Sequence, residues 1–195
     1  MKTERKLLKL ADYSDLVLRT KTKPVEFPLS PEVQQIIEDM KYSIQPKQLK
    51  AAGAPWEGAV GMAANQWGID LSIFLYCPSG DTVFDLAVII NASYEMLPIT
   101  HADAATEEIK WEGCFSVPLA SGKIKRNTHI KVKYQNEKGR VVEKILSDWD
   151  ARVWQHETDH LNGFLYDSPH TGKCLEKIEF ATIADVEQFY ATIEE

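Results

Sequence analysis

The sequence feature that most constrains this chain is the segment QHETDH at residues 155–160. Its two histidines, His156 and His160, are four residues apart, so on a helix they lie one turn apart on the same face. Two imidazoles on one face can bind a single metal ion, and Glu157 between them can reach a water on that metal. The pattern predicts a helix over 148–162 that carries metal ligands. The same spacing also arises by accident, as two surface histidines of an ordinary helix.

Such a site needs a third ligand, and the sequence offers two sources. Downstream, Glu176 or Glu179 would complete a zinc endopeptidase of the HExxH type. Upstream, Cys114 lies in the segment WEGCFS at 111–116, and its thiolate would complete a His2Cys set with the fourth tetrahedral position open. Taken alone, Cys114 is also typical of a buried core thiol.

Two further segments can contribute a substrate pocket. Trp149 and Val153 precede His156 at helical spacing, so they share the face of the metal ligands and either line a pocket or belong to the core. The small residues of GMAANQ at 61–66 allow a close backbone approach, and the Gln66 side chain can donate to a developing oxyanion. This run is also typical of a tightly packed helix start.

Taken together and in this order, GMAANQ at 61–66, EGCFS at 112–116 and QHETDHLNG at 155–163 closely resemble the three motifs of the peptide deformylases. The segment LRTKTKPV at 18–25 resembles the N-terminal arm of that family, and the resemblance covers roughly residues 17–166. The family removes the formyl group from the N-terminal formylmethionine of new polypeptides. It uses one divalent metal, typically iron(II), with zinc, nickel or cobalt as substitutes.

The resemblance implies a role for each matched residue. The metal would be held by three side chains, those of Cys114, His156 and His160. Metal-bound water would attack the formyl carbon, with Glu157 as the general acid/base that passes a proton to the leaving amine. The Gln66 side chain and the Phe115 backbone N–H would hold the formyl oxygen. The residues assigned to substrate binding, from the resemblance or from helical spacing, are Val60, Gly61, Gly113, Trp149 and Val153.

The chain departs from the family pattern in three places. Ala59 stands where the first motif usually opens with Gly, and LASG at 119–122 stands where many members place a basic residue, although Arg126 follows. These departures bear on substrate affinity and length preference. The third is the tail: residues 176–195 carry six acids and one lysine, whereas several bacterial members dock at the ribosome through a basic C-terminal helix. We hypothesise that this enzyme acts without stable tail-mediated ribosome docking.

Composition and charge narrow the partners and the compartment. A net charge of −7 and a pI near 5.3 do not favour stable nucleic-acid binding, and the basic stretch 122–144 is typical of solvated strand faces. No stretch approaches a membrane span, and the N-terminal residues lack a presequence pattern. Three cysteines indicate a reducing compartment. We therefore expect a cytoplasmic monomer whose partners are N-formylmethionyl peptides.

Length and periodicity predict one α+β domain over residues 1–195, with the arm 1–16 and the tail 167–195 less well defined. We expect small antiparallel or mixed sheets packed around a central HExxH helix, an N-terminal helix and a C-terminal helical tail. The predicted elements are a helix at 31–45, a loop at 46–58, strands at 72–77, 85–91, 122–126, 128–135 and 140–146, and a helix at 184–193. Two other functions remain open, an inactive deformylase-like binding module and the zinc endopeptidase.

Overall fold

The computed structural model of the chain describes residues 4–52, 54, 58–78, 86–97 and 106–193. Within these residues the helices are α1 (Pro31–Ser43), α2 (Pro46–Ala51), α3 (Asp148–Leu161) and α4 (Ile183–Ile193). The strands are β1 (Gly61–Ala63), β2 (Ile73–Tyr76), β3 (Ala87–Met96), β4 (Glu107–Glu112), β5 (Ala120–Asn127), β6 (His129–Gln135), β7 (Val141–Ser147) and β8 (Cys174–Glu179). Short 3-10 helices cover Leu16–Arg19, Ala64–Trp67 and Pro169–Thr171.

The strands form two antiparallel sheets. One has five strands in the order β1-β2-β3-β6-β7, and the other has three in the order β4-β5-β8. A turn at 136–139 joins β6 to β7, where Gly139 adopts a φ of +73° that favours glycine. The prediction of a mixed α+β fold with antiparallel sheets is confirmed. No helix among the described residues combines the length and apolar character needed to cross a bilayer.

Acidic residues mark the start of helix α3, and a glycine follows its end. Asp148 and Asp150 lie in its first turn, where negative charge is favourable near the helix N-terminus. Ser147 occupies the position before the helix, but its side chain makes no capping hydrogen bond, and the residue ends β7 opposite His129. After the helix, Gly163 has a φ of +78° and packs against the backbone of the N-terminal arm, where a Cβ would approach within 2.8 Å. Glycine is therefore required at this stop.

The side chain of Trp154 ties α3 to the five-stranded sheet. It is fully buried, and its ring meets those of Phe74, Tyr76 and Tyr134 edge-on at centroid distances of 5.0, 5.7 and 5.3 Å. Edge-to-face aromatic pairs add to the free energy gained from burying apolar area. This cluster sets how deeply the motif-bearing helix sits against the sheet.

We expect Trp154→Ala to lower the free energy of unfolding by about 3–5 kcal/mol, because it leaves a large cavity between α3 and the sheet. Denaturant unfolding of the metal-loaded protein measures this change. The matched control is Trp149→Ala on the same helix, whose side chain is 48% exposed and which should cost less than about 1 kcal/mol. Equal losses in the two variants would contradict a core role for Trp154.

Helix α2 and strands β4 and β8 are among the elements that the sequence did not predict. Helix α2 lies inside the predicted loop 46–58, where Pro46 occupies the first turn and is compatible with a helix start. Strand β4 was not predicted, and the tail contains a second unpredicted strand, β8, which begins at Cys174 before the C-terminal helix. Both strands pair with β5, so their conformation depends on a distant segment. Residue 85 of the predicted strand 85–91 lies outside the described residues.

Candidate metal centre and active-site pocket

Cys114, His156 and His160 bring three potential metal ligands together. The Cys114 Sγ lies 3.2 Å from His160 Nε2, which lies 3.2 Å from His156 Nε2. Within the described part of the chain, these side chains form the one group of three or more His, Cys, Asp or Glu residues that could share a metal ion. One thiolate and two imidazoles match the donor set of a catalytic divalent metal with an open coordination position. The residues therefore fit such an ion.

The two downstream glutamates do not take part in this group. Glu176 approaches Lys123 at 3.7 Å, and Glu179 forms an ion pair with Lys177 at 3.1 Å while remaining largely exposed. Both belong to β8 in the three-stranded sheet. The third ligand required by the endopeptidase alternative is therefore absent from the cluster that the described residues form.

A buried ionic network orients His156. Its Nδ1 lies 2.9 Å from Glu112 Oε2, an arrangement that directs the Nε2 lone pair toward Cys114 and His160. Glu112 also accepts hydrogen bonds from Arg126 at 2.8 and 3.0 Å and from Arg152 at 2.6 Å. Burial opposes ionisation of Glu112, but the Arg126 charge and the hydrogen bonds outweigh it and hold the pKa well below its usual range.

Arg126 is therefore unavailable for substrate binding. Its guanidinium is 1% exposed and also pairs with Asp159, the residue before His160. The sequence had left Arg126 as a replacement for the missing basic residue at 119–122, and the structure contradicts that role. Sequence reasoning also missed Glu112, although an acid placed two residues before the cysteine was a usable signal.

Glu157 lies beside the metal ligands and is almost fully buried. The residue is 4% exposed, and its Oε2 has no hydrogen-bond partner among the described residues. Burial raises its pKa to about 7, against the opposing influence of His156. A carboxyl group with a pKa near neutrality can both accept and deliver a proton in one reaction cycle.

Gly61 provides the space in which Glu157 lies. A Cβ added at Gly61 would fall 2.7 Å from Glu157 Oε1 and 2.9 Å from its Cγ, closer than real Cβ contacts. Because Glu157 is buried, a Cβ at residue 61 would push its carboxylate to a different position in the cavity. Gly61 of the first motif must therefore be glycine so that the carboxylate of Glu157, in the third motif, has room.

We expect Gly61→Ala to lower kcat/KM for the deformylase reaction that the motif resemblance implies by about tenfold or more, since displacing a reacting group by about 1 Å can cost about 100-fold. Steady-state release of formate from a formylated peptide measures the effect. Gly58→Ala is the matched control at the edge of the same cavity, because a Cβ there would meet nothing within 4 Å. Unchanged activity of Gly61→Ala at wild-type metal content would contradict this account.

Gln66 directs the donor end of its amide toward the metal ligands. The run 61–66 forms β1 and then the first residues of a buried 3-10 helix, so the tightly packed helix start that the sequence also allowed applies to its second half. Gln66 Oε1 accepts a hydrogen bond from Ala63 N at 2.8 Å. Its Nε2 then faces Ser116 Oγ at 3.2 Å and Cys114 Sγ at 3.5 Å. Ser116 was not predicted from the sequence.

The candidate catalytic residues line one cavity of about 570 Å³. The cavity is lined by Gln66, Cys114, Phe115, His156 and Glu157 together with the five residues assigned to substrate binding, which are Val60, Gly61, Gly113, Trp149 and Val153. Val153 is buried and also belongs to the core, whereas Val60 and Trp149 are about half exposed. Trp111 from β4, and Glu187, Tyr190 and Ala191 from α4, also line the cavity and were not anticipated from the sequence.

A buried His2Cys set, an adjacent carboxyl group and an apolar cavity on an α+β scaffold define a metallohydrolase-type site. Residues 7–172 match the family model described as polypeptide deformylase. The chain belongs to this enzyme family, which confirms the resemblance seen in the three motifs.

Individual relatives agree with that assignment. The chain is 37% identical over 156 residues to the peptide deformylase of Thermotoga petrophila, covering 78% of this chain and 80% of the relative. It is 38% identical over 136 residues to peptide deformylase 1 of Streptomyces avermitilis, covering 69% of this chain and 57% of that longer protein. The crystal structure of the Thermotoga maritima peptide deformylase superposes with a TM-score of 0.68 at 31% identity, covering 88% of this chain and all of that one. A Met-Ala-Ser-bound peptide deformylase from Acinetobacter baumannii gives 0.65 at 26% identity, covering 84% and 98%.

Proposed function

We propose that this chain removes the N-formyl group from the N-terminal formylmethionine of newly made polypeptides and releases formate. The observation that carries the proposal is the convergence of the Cys114, His156 and His160 ligand atoms beside Glu157, in a member of the polypeptide deformylase family. The Acinetobacter baumannii relative bound to Met-Ala-Ser supports a peptide beginning with methionine as the product.

Cys114, His156 and His160 would hold one divalent ion, for which we propose Fe²⁺, with Zn²⁺, Ni²⁺ or Co²⁺ as substitutes. When bound, the ion supplies a Lewis acid that polarises the formyl group and activates water at neutral pH. Glu112 supports this role because its hydrogen bond to His156 holds the imidazole in the ligating orientation.

The chain's own residues supply the proton transfers and the oxyanion donors. Glu157 accepts a proton from the attacking water and then delivers it to the leaving amine, which cannot depart as an anion. The Gln66 side chain and the Phe115 backbone N–H would donate to the formyl oxygen as its negative charge develops. Losing one such donor costs about 2.7–4 kcal/mol of transition-state stabilisation in comparable oxyanion holes.

The apolar part of the cavity would bind the methionine side chain. Val60, Trp149 and Val153 offer hydrocarbon surface, while Gly61 and Gly113 allow the peptide backbone to approach the reacting groups. Ala59 places one methyl group more than the usual glycine at the same edge. The site therefore combines one apolar subsite with a few directional polar groups.

The cellular setting follows from the same chemistry. We place the enzyme in the cytoplasm, because a thiolate ligand and Fe²⁺ both require reducing conditions, and we propose that it acts as a monomer. Its basic strand residues support no stable nucleic-acid binding: Lys125 and Lys131, for example, form ion pairs with Glu107 and Glu143. We also infer that α3 is the central helix of the fold, since it contacts strands of both sheets.

Formate release from formyl-Met-Ala-Ser tests the proposal when measured anaerobically with Fe²⁺ and then with Ni²⁺. Acetyl-Met-Ala-Ser is the matched control substrate, from which we expect no comparable release of acetate. Absence of formate with every metal would favour the binding-module alternative. Cleavage of an internal peptide bond would instead favour the endopeptidase.

A further inference from the structure

The C-terminal helix α4 forms part of the active-site cavity. Glu187, Tyr190 and Ala191 line the same cavity as Gln66, Cys114 and Glu157. These three residues of α4 are more than seventy positions from Cys114 in the sequence, so only the fold brings them to the site. The acidic tail of this chain is therefore part of the substrate environment.

Several contacts hold α4 in this position. Ser121 Oγ donates to Tyr190 OH at 2.9 Å, and the buried serine belongs to β5. The rings of Trp111 and Phe189 meet edge-on at 5.1 Å, and Val186 is fully buried. At the start of the helix, Thr182 and Asp185 exchange hydrogen bonds in the manner of a capping box.

Glu187 is the exposed charged residue on the part of the cavity wall that the described residues form. Arg152 also lines the cavity, but its guanidinium is buried and binds Glu112 at 2.6 Å. No cation among the described residues forms an ion pair with Glu187. Lys123 lies 5.8 Å from the centre of the Trp111 ring, yet Glu176 at 3.7 Å offsets its charge.

The stretch 119–122 adds no positive charge that would offset Glu187. Ala120 and Ser121 are buried in β5, and Gly122 packs under Tyr166. Arg126, the next arginine, is enclosed by Glu112 and Asp159. A peptide entering this cavity therefore meets a negative charge from α4 and no exposed basic side chain on the cavity wall that the described residues form.

We propose that Glu187 makes the enzyme select formylmethionyl peptides that carry a basic residue shortly after the methionine, and disfavour peptides that carry an acidic one there. This inference rests on the proposed deformylase function and assigns part of its substrate preference to α4. The carboxylate of Glu187 attracts a lysine or arginine side chain and repels a glutamate or aspartate. For a partly exposed pair, we expect an effect of about two- to fivefold.

The test compares amidated peptides formyl-Met-Ala-Lys, formyl-Met-Ala-Gln and formyl-Met-Ala-Glu, whose C-terminal charge is removed. We expect kcat/KM to fall in that order for the wild type at low salt. The differences should shrink at 1 M salt, where the screening length is about 3 Å. Glu187→Gln should bring the three peptides within about twofold, and Glu187→Lys should reverse the order.

Glu179→Gln is the matched control, because it makes the same charge change at an exposed site of β8 outside the cavity. It should keep the wild-type preference. A wild type without a preference, or a Glu187→Gln variant that keeps one, would overturn the inference.

A binding measurement separates this inference from the proposed function. Calorimetric affinities of Met-Ala-Lys amide and Met-Ala-Glu amide for the nickel-loaded enzyme do not require turnover. A Lys preference that disappears in Glu187→Gln supports the role of α4 even if no formate is released. Equal affinities in the wild type would contradict it even if deformylation is rapid.

Discussion

The variant Glu157→Gln is expected to lose about 10²–10⁴-fold in formate release while retaining its metal. The amide is isosteric with the carboxyl group, so the tight packing against Gly61 should persist. It cannot accept a proton from water or deliver one to the leaving amine. The buried position of Glu157 leaves little room for a replacement group to take over.

Single-turnover formate release and metal content measured on the same sample check this expectation. Glu143→Gln is the control, because it removes an exposed acid from β7, where the carboxylate pairs with Lys131 and Lys133. Normal turnover by Glu157→Gln would refute the assignment of Glu157 as the general acid/base. Loss of metal from this variant would instead indicate a ligand role.

The variant Cys114→Ala is expected to bind the metal more than about 100-fold more weakly. Loss of outer-shell support alone typically costs 10–100-fold, and Cys114 would be a direct ligand. The thiol is 3% exposed and lies 3.2 Å from His160 Nε2, so removing it leaves a gap in a buried ligand set. Activity should fall in proportion to the metal lost.

Metal content after gel filtration and the thiolate charge-transfer band of the cobalt-loaded protein provide readouts that do not depend on activity. The controls are Glu176→Gln and Glu179→Gln, which the endopeptidase alternative would require to lose their metal. Full metal occupancy in Cys114→Ala, with loss in either glutamate variant, would reverse the ligand assignment. Circular dichroism establishes whether each variant remains folded.

Periodic segments of the fold were predictable because their signals are local. Helix α1 was expected at 31–45 and spans Pro31–Ser43, with Val33 N donating to Ser30 Oγ at its start. Helix α3 and strands β6 and β7 followed from residue spacing and local composition in the same way. Strand β8 was missed because its six residues acquire an extended conformation by pairing with β5.

The site shows the same division at the level of single residues. The motif residues were identifiable because HExxH encodes its own geometry and the other motifs resemble those of a known family. The network of Glu112 with Arg126 and Arg152 was not identifiable from the sequence, because the two arginines lie 14 and 40 positions from Glu112. Tyr190 and Glu187 carry no motif, so nothing in the sequence distinguished them from other residues of an acidic tail.

The spacing of His156 and His160 was sufficient to specify two ligands on one helical face, because four residues complete about one turn. Only the tertiary structure brings Cys114 Sγ to within 3.2 Å of His160 Nε2. It also buries Arg126 between Glu112 and Asp159 and places α4 on the cavity wall. These contacts depend on sheet pairing and side-chain packing between distant segments. Local sequence periodicity carries no information about such distances, which is why the charge of the cavity became known only with the fold.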